Sequence, residues 1–274
     1  MINRIITQIK MLSSNEKCLV KWSENNVTSK NIGDALNPFL FEKIFNKKTT
    51  NIKESLNTGI IPVYSFIGSV LDNSGVKNLH VLGSGFRNEK SSMPVKPEKV
   101  YACRGPLTRK KLNELGVEVP EVYGDPAILL PNYFDLEVQQ EKIMGLIPHY
   151  VDKDLNVVEK YKAEKNVQFI DVFSDMEEFV RNIKSCEFTI SSSLHGVIIS
   201  QAYGIPSVWV KFSDEIGGGN FKFNDYFNSL GMQVSPVILT SKPLSIDVLE
   251  KEAILPDLSK LKAGLNEAFK KIKL

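Results

Sequence analysis

Short apolar runs alternate along this chain with amphipathic stretches of helical length, and this alternation constrains the fold more than any other feature of the sequence. Such runs are typical of strands that are buried on both faces of a parallel sheet. The predicted strands are Cys18–Trp22, Pro62–Ile67, Asn78–Leu82, Lys99–Cys103, Ile143–Ile147, Val167–Val172, Glu187–Ile190 and Ser207–Val210. We therefore predict an α/β fold in which helices cover parallel sheets.

The alternation occurs in two series, which indicates two lobes. The predicted helices are Asp34–Phe45 and Pro106–Leu115 in the first series, and a capping-box helix from Ser174 to about Lys184 and Leu194–Tyr203 in the second. The polar stretch Pro131–Lys142 separates the two series. We predict lobes at residues 1–135 and 136–274 with a cleft between them, since 274 residues suffice for two α/β lobes.

The C-terminal third predicts a strand-like segment, Val234–Leu239, followed by two helices, Leu244–Lys251 and Leu258–Ile272. The last helix is long enough to pack back on the first lobe. The sequence leaves open whether it does so.

Composition excludes several classes of protein. The 34 basic residues are scattered among 32 acidic ones for a formal charge of +2, so no surface for a nucleic acid is indicated. The three cysteines are odd in number and lack close spacing, which argues against a disulfide framework and a zinc site. We expect a cytoplasmic protein, with the inner face of the membrane as an alternative location.

The N-terminal segment Met1–Leu12 predicts an amphipathic helix, because its apolar residues recur at helical spacing. These residues are Ile2, Ile5, Ile6, Ile9 and Leu12. Charged residues interrupt the segment, which is unlike a signal peptide or a membrane span. We expect the helix to pack on the fold, with at most peripheral membrane association, because two basic residues are a weak signal for a lipid surface.

Glycine stands beside polar or charged residues at four junctions between a predicted strand and a helix. Ligands of open α/β sheets bind at such junctions, because these lie at the carboxyl ends of the strands. At the first, Asn31–Asp34, Gly33 permits close backbone approach and helix amides attract an anion, although Asp34 is equally suited to cap the helix. At the second junction, Gly83–Gly85, the backbone amides are free to bind a phosphate or carboxylate. The alternative is that this segment is a plain turn.

The other two junctions carry an arginine and a histidine. At Arg104–Pro106 a guanidinium fork is placed to bind a carboxylate or phosphate, the alternative being a structural ion pair. At Ser191–Gly196 three hydroxyls precede His195, which is suited to transfer a proton near neutral pH unless it is a core histidine. His80 and His149 are weaker candidates for a functional role. No metal is expected, because these histidines lack the spacing of metal ligands.

Five segments of this kind follow one another in a characteristic order. They are Asn31–Pro38, Gly83–Phe86, Arg104–Thr108, Gly124–Ala127 and Ser192–Gly196. In this order they resemble the polysaccharide pyruvyl transferase family, and in particular its exopolysaccharide ketal-pyruvate transferase branch. The resemblance spans about Trp22 to Gly231.

The resemblance implies a GT-B-like fold of two Rossmann-like lobes, with phosphoenolpyruvate as donor substrate and no cofactor. The expected reaction moves the enolpyruvyl group onto a hexose of a surface polysaccharide or its lipid-linked precursor and forms a pyruvate ketal. Two alternatives remain: a sugar-nucleotide glycosyltransferase on the same fold, and a non-catalytic glycan-binding paralogue.

The resemblance also implies roles for individual residues. His195, Asp34 and Arg104 are the expected catalytic residues, and which of the first two acts as acid or base stays open. Many family members carry arginine where this chain has Ser193, so a second cation for the donor is expected at Arg87 or Lys211. The expected substrate-binding residues are Asn31, Gly33, Gly83, Ser84, Gly85, Arg87, Ser192, Ser193, Leu194 and Lys211.

Overall fold

The computed structural model describes residues 1–13, 17–23, 31–240 and 243–274, and its first half is built on a five-stranded parallel sheet. The strand order is β2-β1-β3-β4-β5. The strands are β1 Lys17–Lys21, β2 Lys48–Asn51, β3 Val63–Ser65, β4 Leu79–Leu82 and β5 Lys99–Ala102. The central strands are almost entirely buried, which explains their apolar sequences.

A second five-stranded parallel sheet forms the other half, in the order β10-β9-β8-β6-β7. Its strands are β6 Lys142–Ile147, β7 Val167–Phe169, β8 Cys186–Ser191, β9 Ser207–Lys211 and β10 Val237–Ile238. The two sheets are separate, so the predicted two-lobed α/β architecture is confirmed. The exact boundary at residues 135 and 136 stays a prediction.

Helices cover both sheets. Those in the described residues are α1 Ile2–Ser13, α2 Ile32–Phe45, α3 Pro106–Glu114, α4 Asn156–Lys162, α5 Met176–Lys184, α6 Leu194–Ala202, α7 Phe221–Ser229, α8 Ile246–Lys251 and α9 Ser259–Lys270. There are also two short 3-10 helices: Ile52–Glu54 directly follows β2, and Pro126–Asn132 precedes β6. Within the described part of the chain, no helix has both the length and the apolar character needed to cross a bilayer.

Helix α2 shows how local sequence fixes an element beside the cleft. Pro38 lies inside the helix and has no N–H, so a backbone carbonyl one turn earlier loses its usual donor. That carbonyl belongs to Asp34, and the buried Asn37 side chain supplies a donor to it, because its Nδ2 lies 3.4 Å from the Asp34 oxygen and 3.1 Å from that of Gly33. The Asn37 Oδ1 accepts from the amide of Ile67 at 3.0 Å, which ties α2 to the segment after β3.

Helix α9 packs on the first half of the chain. The Phe269 ring lies 5.4 Å from the ring of Phe45 and 5.7 Å from that of Phe66, measured between centroids. These aromatic contacts belong to a core cluster that continues from the first half into the second.

All eight strands predicted from the sequence are present, and their ends differ from the prediction by at most three residues. Strand β2 was missed because its sequence is polar, and α4 and α7 were also missed. Helix α1 forms and packs on the fold through Gln8 and Met11, whereas its isoleucines Ile2, Ile5, Ile6 and Ile9 are exposed.

Candidate functional site

A cavity of about 260 Å³ is lined by segments that follow strands of both sheets. In the first sheet the strand order reverses between β1 and β3, and Ser23 and Ser69 follow these two strands. In the second sheet it reverses between β6 and β8, and His149 and Ser193 follow these. Both topological switch points, where α/β sheets bind ligands, therefore contribute to one cavity.

The lining residues come from both halves of the chain. They are Ser23, Asn31, Asp34, Gly68, Ser69, Val70, Arg87, His149, Tyr150, Ser193, Leu194, His195, Ile216, Gly217 and Lys222. Six residues predicted from the sequence are in this set: Asn31, Asp34, Arg87, Ser193, Leu194 and His195.

His195 stands in the first turn of α6 and inserts its imidazole between the two halves. The ring lies directly over Gly33, where an added Cβ would be 2.1 Å from Nδ1. Its Nε2 lies 3.5 Å from Oδ2 of Asp125 and has no hydrogen-bond partner among the described residues. Only a glycine at position 33 leaves room for the imidazole in this place.

Asp125 holds the far side of this imidazole and is completely buried. Its Oδ1 caps the 3-10 helix Pro126–Asn132 by accepting from the Ala127 amide at 3.1 Å. Its Oδ2 accepts from the Gly68 amide at 3.2 Å. These two bonds fix the carboxylate in its place beside the His195 ring.

Sequence reasoning missed Asp125 as a site residue. It lies in the segment Gly124–Ala127, which carried part of the family resemblance, but the interpretation gave that segment no role. The missing information was the approach of His195, which comes from the other half of the chain.

Asp34 is held at the N-terminus of α2, in the wall formed by the first half. Its Oδ1 accepts from the Ser23 amide at 3.1 Å, while Asn31, and not Asp34, caps the helix by accepting from the Gly33 amide. Burial raises the pKa of Asp34 to about 6, against the opposing effects of His195, the Ser23 amide and nearby cations. Asp34 therefore changes charge close to neutral pH, as a proton-transferring group requires.

Two cations, Arg87 and Lys222, line the same cavity. Burial lowers the pKa of Lys222 to about 8, with smaller contributions from the positive charges of Arg104 and Arg87. The loop before α7 lies against Arg87 so closely that a Cβ on Gly218 would be 2.5 Å from the Arg87 carbonyl oxygen. This contact keeps the two cations on neighbouring segments, and such a pair suits an anionic ligand.

His149 lies near these cations and is neutral at physiological pH. Burial, and then the positive charges of Lys222 and Arg87, lower its pKa to about 3. Ser192 holds the segment in place, since its Oγ accepts from the His149 amide at 2.9 Å and donates to Asp152 at 2.7 Å. Sequence reasoning placed His149 at a loop edge, although its position after a predicted strand was a usable signal. Nothing in the sequence marked Lys222.

Arg104 is completely buried and does not line the cavity, so the expectation that it points into the cleft is wrong. Its Nε donates to Asp225 at 3.0 Å, its Nη1 to Ser69 Oγ at 2.7 Å and its Nη2 to the Phe86 carbonyl. Arg104 therefore acts on the cavity indirectly, through its bond to Ser69 and through the effect of its charge on Lys222.

The glycine turn after β4 also lies away from the cavity, contrary to its predicted role in binding substrate. Gly83 and Gly85 are packing positions, because a Cβ there would lie 2.5 Å from Pro126 Cδ and 2.7 Å from Arg104 Cζ respectively. The Gly85 amide donates to the Gly68 carbonyl, and Ser84 is buried. The Gly85 amide is therefore used within the protein, whereas the buried Oγ of Ser84 has no hydrogen-bond partner among the described residues.

Two further predicted residues are placed elsewhere. Ser192 is buried behind His149, as described above, and Lys211 pairs with Asp214 outside this cavity. In the described part of the chain, no group of three or more histidine, cysteine, aspartate or glutamate side chains is arranged to hold a metal ion.

Comparison with known proteins gives consistent matches. A family model described as polysaccharide pyruvyl transferase matches residues 77–214. An uncharacterised protein of Acanthamoeba polyphaga mimivirus is 33% identical over 211 residues, which cover 74% of this chain and 72% of that protein. The succinoglycan biosynthesis protein ExoV of Rhizobium meliloti (strain 1021) is 26% identical over 217 residues, which cover 75% of this chain and 63% of that protein. The match to ExoV thus spans less than two thirds of its length.

Proposed function

Because this chain belongs to the polysaccharide pyruvyl transferase family, we propose that it transfers the enolpyruvyl group of phosphoenolpyruvate to a hexose of a surface polysaccharide or its lipid-linked precursor, forming a pyruvate ketal. The observation that carries this proposal is the cavity at both switch points, where two cations stand beside two groups suited to proton transfer. Since phosphoenolpyruvate is a cytoplasmic metabolite, we place the reaction in the cytoplasm.

The donor is a small polyanion with a phosphate and a carboxylate, and the cavity offers matching groups. Arg87 binds either of them with a guanidinium fork, and Lys222 supplies a point charge. Leu194 and His195 add the N-terminal end of α6, which no side chain caps among the described residues. Many family members have an arginine at the position of Ser193. In this proposal Arg87 and Lys222 bind the donor in its place.

The chemistry needs one proton donor and one proton acceptor. Protonation of C3 makes C2 of the donor electrophilic, and one sugar hydroxyl then adds to C2. Loss of phosphate makes C2 electrophilic again, and a second hydroxyl of the same sugar closes the ketal. Of the two hydroxyl protons released, one balances the proton added to C3 and the other leaves with phosphate or solvent.

We assign the acid role to His195 and the base role to Asp34. Asp125 lies 3.5 Å from the imidazole Nε2 without a hydrogen bond to it, which is close enough for its carboxylate to stabilise positive charge on the ring. Asp34, with a pKa of about 6, is mostly ionised at pH 7 and is able to accept a proton from a hydroxyl. Each transfer contributes on the order of 10²–10⁴ in rate.

Lys222→Met tests the donor site. We expect phosphoenolpyruvate to bind at least about tenfold more weakly, because a charge-assisted hydrogen bond is worth about 1.5–3 kcal/mol. Calorimetric titration of the full chain measures this directly. Lys211→Met is the matched control, since Lys211 pairs with Asp214 away from the cavity. Equal donor affinity in both variants would remove Lys222 from the donor site.

Gly33→Ala tests the placement of His195. The new Cβ displaces the imidazole, so we expect turnover to fall more than about tenfold, since misplacement of about 1 Å costs up to about 10²-fold. Helix propensity favours alanine over glycine, so stability lost through the backbone is not expected. Gly264→Ala in α9 is the control, because its Cβ meets nothing closer than 3.6 Å. Normal turnover of Gly33→Ala would show that the ring position is not needed.

The reaction itself is tested by incubating the protein with phosphoenolpyruvate and a hexose-containing oligosaccharide. Acceptor-dependent phosphate release, together with a ketal methyl signal in the NMR spectrum of the glycan, supports the proposal. Binding of a sugar nucleotide instead of phosphoenolpyruvate would support a glycosyltransferase. Binding of neither, together with glycan binding, would indicate a non-catalytic paralogue.

A further inference from the structure

Helix α1 is attached to the protein by its polar side. Gln8 is only 5% exposed, and its Oε1 accepts from Ser55 Oγ at 2.6 Å while its Nε2 donates to Thr58 Oγ1 at 3.2 Å. Met11, one turn further along the same side, is buried as well. An amphipathic helix on a globular protein normally turns its apolar side to the core, so the orientation of α1 is reversed.

The apolar side of α1 faces outward as a consequence. Four isoleucines recur along it with exposed fractions of 73%, 40%, 45% and 58%: Ile2, Ile5, Ile6 and Ile9. We call these four residues the isoleucine face. Clustered exposed isoleucines of this kind mark an interaction surface.

The charge of α1 indicates what covers this face. The helix sequence contains the basic residues Arg4 and Lys10 and no acidic residue. A second copy of the chain would bring two such helices together with like charges opposed, which is unfavourable. A lipid surface that carries negative charge accepts the isoleucines and attracts the helix through its net positive charge, while Arg4, one turn before Gln8, lies on the side that faces the protein.

We propose that the isoleucine face binds the surface of an anionic lipid bilayer, with α1 lying in the plane of the headgroups. Gln8 and its bonds to Ser55 and Thr58 hold the helix on the protein while its outer side enters the lipid. The inference rests on the geometry of α1 and not on the proposed donor. A lipid-linked acceptor, as proposed above, is presented at the same surface.

The test is sedimentation of the full chain with vesicles. Phosphatidylcholine vesicles that contain phosphatidylglycerol should bring down the protein, and phosphatidylcholine vesicles alone should bring down much less. Binding should weaken as salt is raised, because the electrostatic part is screened. Ile5→Ser/Ile9→Ser should reduce binding about tenfold or more through the lost apolar contact.

Ile238→Ser is the matched control, because Ile238 is 56% exposed on β10 of the other sheet, and it should bind vesicles like the wild type. Thermal unfolding of each variant checks that the fold is kept. The proposal is overturned if anionic vesicles do not bind the wild type, or if the double variant binds as the wild type does. An isoleucine-dependent dimer in light scattering, without vesicle binding, would assign the face to a second copy.

Discussion

His195→Gln should lower turnover per folded molecule by about 10²-fold or more, while the affinity for phosphoenolpyruvate falls much less. Glutamine keeps a hydrogen-bonding side chain over Gly33 but cannot carry the proton that C3 of the donor requires. The variant should therefore lose turnover while it keeps its fold and most of its donor affinity. The measurement is steady-state turnover with calorimetric donor binding on the same samples.

The pH dependence of turnover tests the proposed role of Asp34. Asp34 acts as a base only when ionised, so turnover should fall as pH drops through about 6 in both the wild type and the glutamine variant. A decline as pH rises through about 8 is expected in both proteins, because Lys222 loses its charge there. Asp34→Asn should remove the decline at low pH.

His80→Gln provides the control for this experiment. His80 is a β4 residue whose Nε2 lies 3.0 Å from Asn78 Oδ1 and whose ring contacts Tyr64, and it does not line the cavity. Its replacement should leave turnover per folded molecule unchanged. If His195→Gln behaves in the same way, the acid lies elsewhere. If it loses stability and activity together, with normal turnover of the folded fraction, His195 serves in packing.

The strands were predictable because a parallel strand buried on both faces leaves a continuous apolar run in the sequence. Strand β2, Lys48–Asn51, lies at the sheet edge and is only partly buried, so its sequence gives no such run. Helix α7 was missed for a related reason: its inner side carries Asp225 and Lys222 among aromatic residues, and their positions make sense only beside Arg104 and the cavity.

The site was predictable only in part, because the carboxyl end of a strand was treated as sufficient evidence of a ligand site. Segments at the switch points, such as Asn31–Asp34 and Ser193–His195, do reach the cavity. Arg104 follows β5, at the far edge of the first sheet, and Gly83–Gly85 follow its neighbour β4. Strand order decides between these cases, and a single sequence does not reveal it.

Asp225→Ala should lower the free energy of unfolding by about 3–5 kcal/mol, because it leaves the Arg104 guanidinium buried without its counter-charge. Both side chains are completely buried. Asp225 Oδ1 also accepts from the amides of Leu107 and Thr108 at 2.9 Å each, and so caps α3 from the other half of the chain. Urea unfolding followed by circular dichroism measures the change.

Two further variants show whether the effect belongs to the buried pair. Glu177→Ala removes an exposed partner of Arg181, and its effect should be far smaller because such pairs are screened by water. Arg104→Met/Asp225→Leu removes both charges and should recover much of the stability lost in the single variant. A single variant as stable as the wild type would show that Arg104 does not depend on Asp225.

Arg104→Lys then distinguishes the structural role from the predicted role in donor binding. Lysine lacks the fork that joins Asp225, Ser69 and the Phe86 carbonyl, so a structural arginine predicts lower stability and normal donor affinity of the folded fraction. Wild-type stability with at least tenfold weaker phosphoenolpyruvate binding would instead return Arg104 to the donor site. Arg104 donates to Ser69, which lines the cavity. A change in the buried pair of Arg104 and Asp225 therefore affects the site by shifting Ser69.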